Sequence, residues 1–166
     1  MDTNDYKILA HLATHGRTTW AELAEMLGLS PPATAERVRR LEQRGVIKGY
    51  AALIDPDAVG YELTAFVAVT LERPRDRVAF LSLVDALAEV QECHHMAGED
   101  DYLLKVRCRT VRDLERIVSE QIKNVPGVVR TRTTIVLSTL KETPAVPLHQ
   151  SAPPPSISPE DVAHGP

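Results

Sequence analysis

Between Thr19 and Arg44 the chain carries two amphipathic segments separated only by Gly28-Leu29-Ser30, and no other stretch limits its possible folds so tightly. Trp20, Leu23, Ala24 and Leu27 recur at i, i+3, i+4 and i+7 and so line one face of a helix. Thr19 and Glu22 stand at the capping-box spacing that begins such a helix, and Gly28 supplies the permissive backbone that ends it. Ser30 then offers an N-cap, and Pro31 is the residue favoured at the first position of the next helix. Two helices joined by about three or four residues make a helix-turn-helix, the geometry of many DNA-binding domains.

In the second helix Thr34, Val38 and Leu41 form a narrow apolar stripe that can pack on the first, while Pro32, Glu36, Arg39 and Gln43 point away from it. Arg37, Arg40 and Arg44 line one flank. Outward residues near the N-terminal half of a recognition helix can reach base edges, and flanking arginines can neutralise phosphates. The candidate DNA-binding residues are therefore Ser30, Pro32, Ala33, Glu36, Arg37, Arg39, Arg40 and Arg44. A charge run alone is better explained as a solvated face. Here the run coincides with a short turn and a preceding amphipathic helix, which favours DNA. The chain's net charge of −4 does not oppose this, because Ser30 to Tyr50 holds four arginines and one lysine against two glutamates. Phosphate binding depends on local charge, not on the total.

An earlier helix completes a tri-helical unit, with Thr3 or Asn4 as its cap, Ile8, Leu9, Leu12 and Ala13 as its apolar face, and Gly16 as its stop. After Gly45, the run Val46 to Ile54 reads as a short strand pair or wing. The expected domain spans residues 1–54, with a linker over 55–62.

From Leu63 the periodicity changes. Leu63, Ala65, Val67, Val69 and Leu71 alternate as in a strand, Arg75 to Ala88 has helical spacing, and Val90 to Ala97 reads as a strand. Gly98-Glu99-Asp100-Asp101 is turn chemistry, Tyr102 to Cys108 is the returning strand, and Val111 to about Asn124 is a helix stopped by Pro126-Gly127. Val128 to Leu140, rich in β-branched residues, is the last strand. The order βαββαβ over residues 63–142 predicts a ferredoxin-like domain with an antiparallel sheet and both helices on one face. The whole chain is thus α+β, a winged helix-turn-helix followed by a ferredoxin-like domain. Phe66 and Ala68 make the opposite face of the first strand apolar as well, which calls for a cover. A second subunit is the natural one, and a two-fold axis would then present two helix-turn-helix units to a palindromic site.

Thr143 to Pro166 gathers seven of the twelve prolines, so a disordered or polyproline-like tail is expected over 143–166. Two cysteines, Cys93 and Cys108, are too few for a disulfide framework. No segment approaches the ~18 apolar residues of a membrane span and no signal-peptide pattern opens the chain, so a cytoplasmic setting is expected.

Several of these runs together resemble the Lrp/AsnC family of leucine-responsive, or feast/famine, transcriptional regulators. The resemblance lies in Asp5-x-x-Ile8-Leu9, Arg17, Glu22-Leu23-Ala24, Gly28-Leu29-Ser30, Arg37-Val38-x-Arg40-Leu41-Glu42, Gly45-Val46-Ile47 and Gly49-Tyr50. It continues through Gly98-x-x-Asp101-Tyr102-Leu103-Leu104, Gly127-Val128 and Thr133 to Leu137, and so covers Met1 to about Leu140. It implies a DNA-binding regulator without a cofactor, a homodimer that assembles into tetramers or octamers, and a small amino acid as effector. The resemblance places the effector near Gly98, Asp101 and Tyr102, with Thr133 and Thr134 on the last strand as further candidates. Chemistry adds Asp100, since either it or Asp101 can pair with an α-ammonium group. A plain hairpin accounts equally for a glycine beside acidic residues.

Cys93-His94-His95-Met96 departs from the family pattern. Cys93, His95, Glu99 and Cys108 are imaginable metal ligands, but neighbouring strand residues face opposite sides, so packing and pocket lining are the preferred roles and no metal is expected. Two alternatives share the architecture. A siroheme-decarboxylase-like enzyme would be expected to carry a histidine and tyrosine-asparagine pattern where this chain has Gly98 to Lys105, and a ligand-sensing module that has lost DNA binding is opposed by Arg37, Arg40 and Arg44.

Overall fold

The computed structural model describes residues 1–148, which divide into two compact units; the remainder of the proline-rich tail lies outside the described residues.

The first unit is three-helical. Helix α1, Thr3–Leu12, is capped by Asp2, not by Thr3 or Asn4: the Asp2 carboxylate accepts from Asp5 N–H at 2.9 Å and the Asp5 carboxylate accepts from Asp2 N–H at 3.0 Å. It ends at Leu12, ahead of Gly16. Helix α2, Trp20–Leu27, starts with the reciprocal Thr19–Glu22 capping box and ends at Gly28 with φ of 66°. Helix α3, Pro31–Gln43, begins at Ser30, whose Oγ accepts from Ala33 N–H. Ile8, Leu23, Val38 and Leu41 interlock at the centre, flanked by Leu9, Leu12, Leu27 and Ile47. Each fully buried side chain of this kind contributes about 1.5–3 kcal/mol. Trp20, at the first helical position, lies at the rim and not in this core.

No strand pair forms over 46–54. The N–H groups of Val46 and Ile47 both turn back to the Leu41 carbonyl, and Gly45 adopts φ of 67°, so the backbone that would have begun a wing instead closes the end of α3. The start of the tail is placed as well: Pro144, Ala145, Val146 and Leu148, without regular structure, line an apolar groove with Leu9, Leu12, Ile47 and Tyr50 of the same unit.

The second unit is built as β1 (Leu63–Leu71), α4 (Arg77–Ala86, entered through a 3-10 turn at Pro74–Asp76), β2 (Val90–His95), β3 (Tyr102–Cys108), α5 and β4 (Val128–Ile135). Helix α5 opens as an α-helix over Val111–Glu115 and widens to a π-helix over Arg116–Ile122. The antiparallel sheet has the order β2-β3-β1-β4, with Val67 opposite both Leu104 and Thr133. Ala65, Val67 and Val69 of β1, with Tyr102, Leu104 and Val106 of β3, form a core with Phe80 of α4 and Leu114, Ile117 and Ile122 of α5. The last strand stops at Ile135, short of Leu140. Val136 N–H makes a final bond to Thr64, and beyond it Leu137 is 99% exposed.

The other sheet face carries Phe66, Leu103, Lys105, Arg107 and Arg132, with no helix over it among the described residues. Glu142 bridges both Lys105 and Arg107 there, and Glu92 accepts from His94 and Lys105. The His94 contact, then Lys105, hold the Glu92 carboxyl below its usual range.

Candidate nucleic-acid interface and ligand cleft

The eight candidates for DNA contact are not equivalent. Pro32 and Ala33 are exposed on the first turn of α3, where the helix dipole favours a phosphate; Pro31 and Pro32 have no N–H to offer it, and the Ala33 N–H is donated to Ser30. The Ser30 hydroxyl is engaged in capping. Arg40 and Arg44 are exposed and form no ion pair among the described residues. Glu36 and Arg39, both solvent-facing, are bonded to each other.

Arg37 stands apart. Its Nη1 donates to Asp2 at 2.7 Å and to Asp5 at 2.9 Å, so the arginine expected to face phosphate is tied to the start of α1. The Asp2 hydrogen bond strengthens its hold on its proton, and the Asp5 N–H, followed by Arg37, holds the Asp2 carboxyl below the ordinary carboxylate range. Arg37, Arg40, Gln43 and Arg44 line one side of a cleft of about 490 Å³, with Asp2 and Asp5 on the other. After α3, the Tyr50 hydroxyl donates to Glu42 at 2.9 Å; partial burial of the phenol, then this bond, push it up to about 12.

In the second unit the β2–β3 hairpin is fixed by its two aspartates. Asp100 is 3% exposed, with one carboxylate oxygen accepting from Thr70 and Arg130 and the other from Arg132 at 2.6 Å. Both of its oxygens are thus engaged within the chain, which corrects the expectation of a free partner for an ammonium group. Asp101 accepts from Leu71 N–H at 2.7 Å and donates its own N–H to Val69. Tyr102 is buried between Phe80 and His95, with ring centroids 4.9 and 5.1 Å away. Gly98 sits in open space.

Thr133 and Thr134 do not join this group as a pair. Thr133 lies opposite Val67 on the helix-covered face and Thr134 opposite Phe66 on the other, whereas Tyr102 is in line with Val69 and Thr131.

Asp101 and Tyr102 instead open onto a cleft of about 360 Å³, which Leu71, Glu72, Arg73, Pro74, Arg77 and His95 complete. Arg73 is paired with Glu72 at 2.8 Å, while Arg77 has no acidic partner among the described residues. Two guanidinium groups and two carboxylates around a small apolar floor match a zwitterion in charge. The basic run Arg73-Pro74-Arg75-Asp76-Arg77 was visible in the sequence, but only the fold brings it against a hairpin that follows β2.

Cys93 is half-buried and Cys108 buried, and burial raises both thiols. Among the described residues no three His, Cys, Asp or Glu side chains converge.

Two family models divide the chain along the same lines. A winged helix-turn-helix DNA-binding model matches residues 1–48, and the Lrp/AsnC ligand binding domain matches residues 64–146. The chain belongs to the Lrp/AsnC family. Among similar proteins of this family, the leucine-responsive regulatory protein of Haemophilus influenzae is 39% identical over 145 residues, covering 86% of this chain and 87% of that one. The HTH-type transcriptional regulator LrpA of Mycobacterium tuberculosis is 43% identical over 139 residues, covering 84% and 91%. A transcriptional regulator from Neisseria meningitidis, solved in complex with L-Met, superposes with a TM-score of 0.85 at 34% identity, covering 89% of this chain and 97% of that one. The Lrp/AsnC relatives are thus matched across both units.

Proposed function

We propose that this Lrp/AsnC chain is a sequence-specific DNA-binding transcriptional regulator whose engagement with DNA responds to a small amino-acid effector. The observation that carries this reading is the pairing, in one chain, of a recognition helix whose Arg40 and Arg44 are exposed and form no ion pair among the described residues with a zwitterion-matched cleft at the base of the β2–β3 hairpin. Arg77 and Arg73 would take the α-carboxylate, Glu72 and Asp101 the α-ammonium, and Leu71, Pro74 and Tyr102 the side chain. The L-Met complex of the similar Neisseria regulator supports an amino acid of that size. Gly98 leaves room for a ligand or a second chain beside the hairpin. Asp100 serves the site as the clasp that holds the hairpin in place.

Phe66 and Leu103 on the uncovered sheet face favour a homodimer, and further association to tetramers or octamers would let effector binding shift the balance among assemblies. A two-fold dimer would read palindromic promoter sites. No helix among the described residues is long and apolar enough to cross a membrane, and a regulator of promoters works in the cytoplasm beside the DNA.

Genomic pull-down followed by fluorescence anisotropy on the recovered promoter duplexes, with and without L-methionine or L-leucine, tests the reading. Saturable, salt-dependent binding that changes with one of these amino acids is the expected result. Promoter binding indifferent to every amino acid would remove the effector half, and no preference over bulk duplex would remove the regulator assignment.

A further inference from the structure

Arg39, on the outward face of α3, is not a free cation. Its Nε and Nη2 both donate to Glu36 Oε2, at 3.0 and 2.6 Å, across one helical turn. Both side chains are about half exposed, so no burial forces them together, and they lie on the stripe that includes Pro32 and Gln43. Arg40 and Arg44 on the flank carry no such partner among the described residues.

A surface evolved only to neutralise phosphates gains nothing from a carboxylate at its centre. Glu36 cancels the counterion release that Arg39 would supply, and it is itself repelled by the backbone. The same pair suits the major groove. A carboxylate only accepts, and the cytosine N4 amino group is a donor; a guanidinium fork matches the O6 and N7 acceptors of guanine. In a C·G base pair these groups stand side by side on one edge. Glu36 and Arg39 can therefore engage both without separating, because two of five guanidinium N–H donors serve Glu36 and three remain. At an A·T pair the guanidinium would meet the adenine N6 amino group, donor against donor.

We propose that Glu36 and Arg39 form a single reading unit that selects a C·G base pair, with Glu36 as the specificity-determining residue. The inference rests on α3 being the recognition helix. Glu36 acts in two ways: it recognises cytosine, and it lowers affinity for bulk duplex by occupying Arg39. Specificity is a difference between affinities, and this pair raises it from both sides.

Selection from a randomised duplex pool with wild type, Glu36→Gln and Arg39→Lys, together with salt titrations on alternating poly(dA-dT), tests the proposal. Wild type should enrich sites with a fixed C·G pair in each half-site, and neither variant should retain it at that position. Discrimination there should fall roughly tenfold or more. On poly(dA-dT), Glu36→Gln should bind more tightly and steepen the log–log salt slope by about 0.9, because Arg39 becomes available to phosphate. The thermal midpoints of both variants should stay near wild type. An unchanged enriched site in Glu36→Gln overturns the proposal, whatever happens to the slope. A wild type that enriches no sequence overturns the recognition-helix assignment as well, and that outcome is distinguishable from the first.

Discussion

Gly127 lies so close to Asp76 that a Cβ added at residue 127 would sit 2.3 Å from the Asp76 Cβ and 2.4 Å from its Cγ. Gly127 also has φ of 90°, and its carbonyl accepts from Glu72 N–H at 2.7 Å, so the entry to β4 is locked against the turn before α4. Gly127→Ala therefore meets two penalties, a backbone conformation unfavourable to L side chains and a steric clash with a residue that has little room to move. A loss of about 3 kcal/mol is expected, seen as a fall in thermal midpoint of roughly 10 °C or more. Adding Asp76→Gly should recover the steric part and leave the backbone part. A double variant no more stable than Gly127→Ala would show that the clash is not what costs stability.

Arg37 should separate from Arg40 in experiments on DNA. Its guanidinium is committed to Asp2 and Asp5, so Arg37→Gln should leave the salt slope of duplex binding nearly unchanged, whereas Arg40→Gln should lower it by about 0.9. Stability should respond in the opposite order. Asp2 titrates below its ordinary 3.8, so the stabilisation from its charged form is complete above that value and is lost as pH falls through its lowered pKa. Because Asp2 is about half exposed, the Arg37 share is modest, about 1 kcal/mol or less. Melting Arg37→Gln at pH 7 and again near pH 2 checks this, with a gap from wild type at pH 7 that narrows at the acid end. Equal gaps at both pH values would refute the carboxylate origin.

The ion pairs of Arg37 and of Asp100 mark the limit of what local sequence patterns reveal. The helix-turn-helix was legible because its signals are local: Thr19 with Glu22, Gly28, Ser30 and Pro31 act within one or two turns. The alternation from Leu63 to Leu71 likewise marked β1, since one covered face imposes a period of two. The helix pattern alone places Arg37 on the phosphate flank, because its partners Asp2 and Asp5 lie more than thirty residues back along the chain. Sequence chemistry offers Asp100 or Asp101 to an α-ammonium group and shows nothing of Arg130 and Arg132, which reach Asp100 only through the register of β4 on β1. Val46 to Ile54 has the composition of a strand but no neighbour among the described residues with which to pair. The cleft joins the segment before α4 to the hairpin after β2, a proximity set by tertiary structure alone.

Thr34 offers a substitution expected to stabilise. It is fully buried in α3, and its hydroxyl oxygen has no hydrogen-bond partner among the described residues. A buried, unsatisfied polar group costs about 1–3 kcal/mol, and valine keeps the shape of threonine while removing it. Thr34→Val should raise the thermal midpoint of the DNA-binding unit by an amount equivalent to about 1 kcal/mol, without altering duplex affinity. A drop in midpoint would mean that the hydroxyl is satisfied in solution, by a bound water or a rotated side chain.

Asp100 and Arg77 provide the sharpest test of how the ligand cleft is divided between scaffold and contact. Asp100 is buried and carries two arginines and Thr70, whereas Arg77 lines the cleft with no acidic partner among the described residues. Asp100→Ala removes charge-assisted bonds that position the hairpin, but Arg130 and Arg132 are more than half exposed and can be rehydrated. Its cost should therefore be about 2 kcal/mol, below that of stranding a charge in a closed interior. Arg77→Ala should leave the thermal midpoint of the free protein within about 0.5 kcal/mol equivalent, as for other surface changes. It should weaken L-methionine binding in calorimetry by roughly tenfold or more, the loss of one charge-assisted contact. The two variants thus exchange signatures: stability falls with Asp100 and ligand affinity with Arg77. If Arg77→Ala binds L-methionine as wild type does, the cleft between α4 and the hairpin is not the effector site, and the exposed ground around Gly98 becomes the place to look.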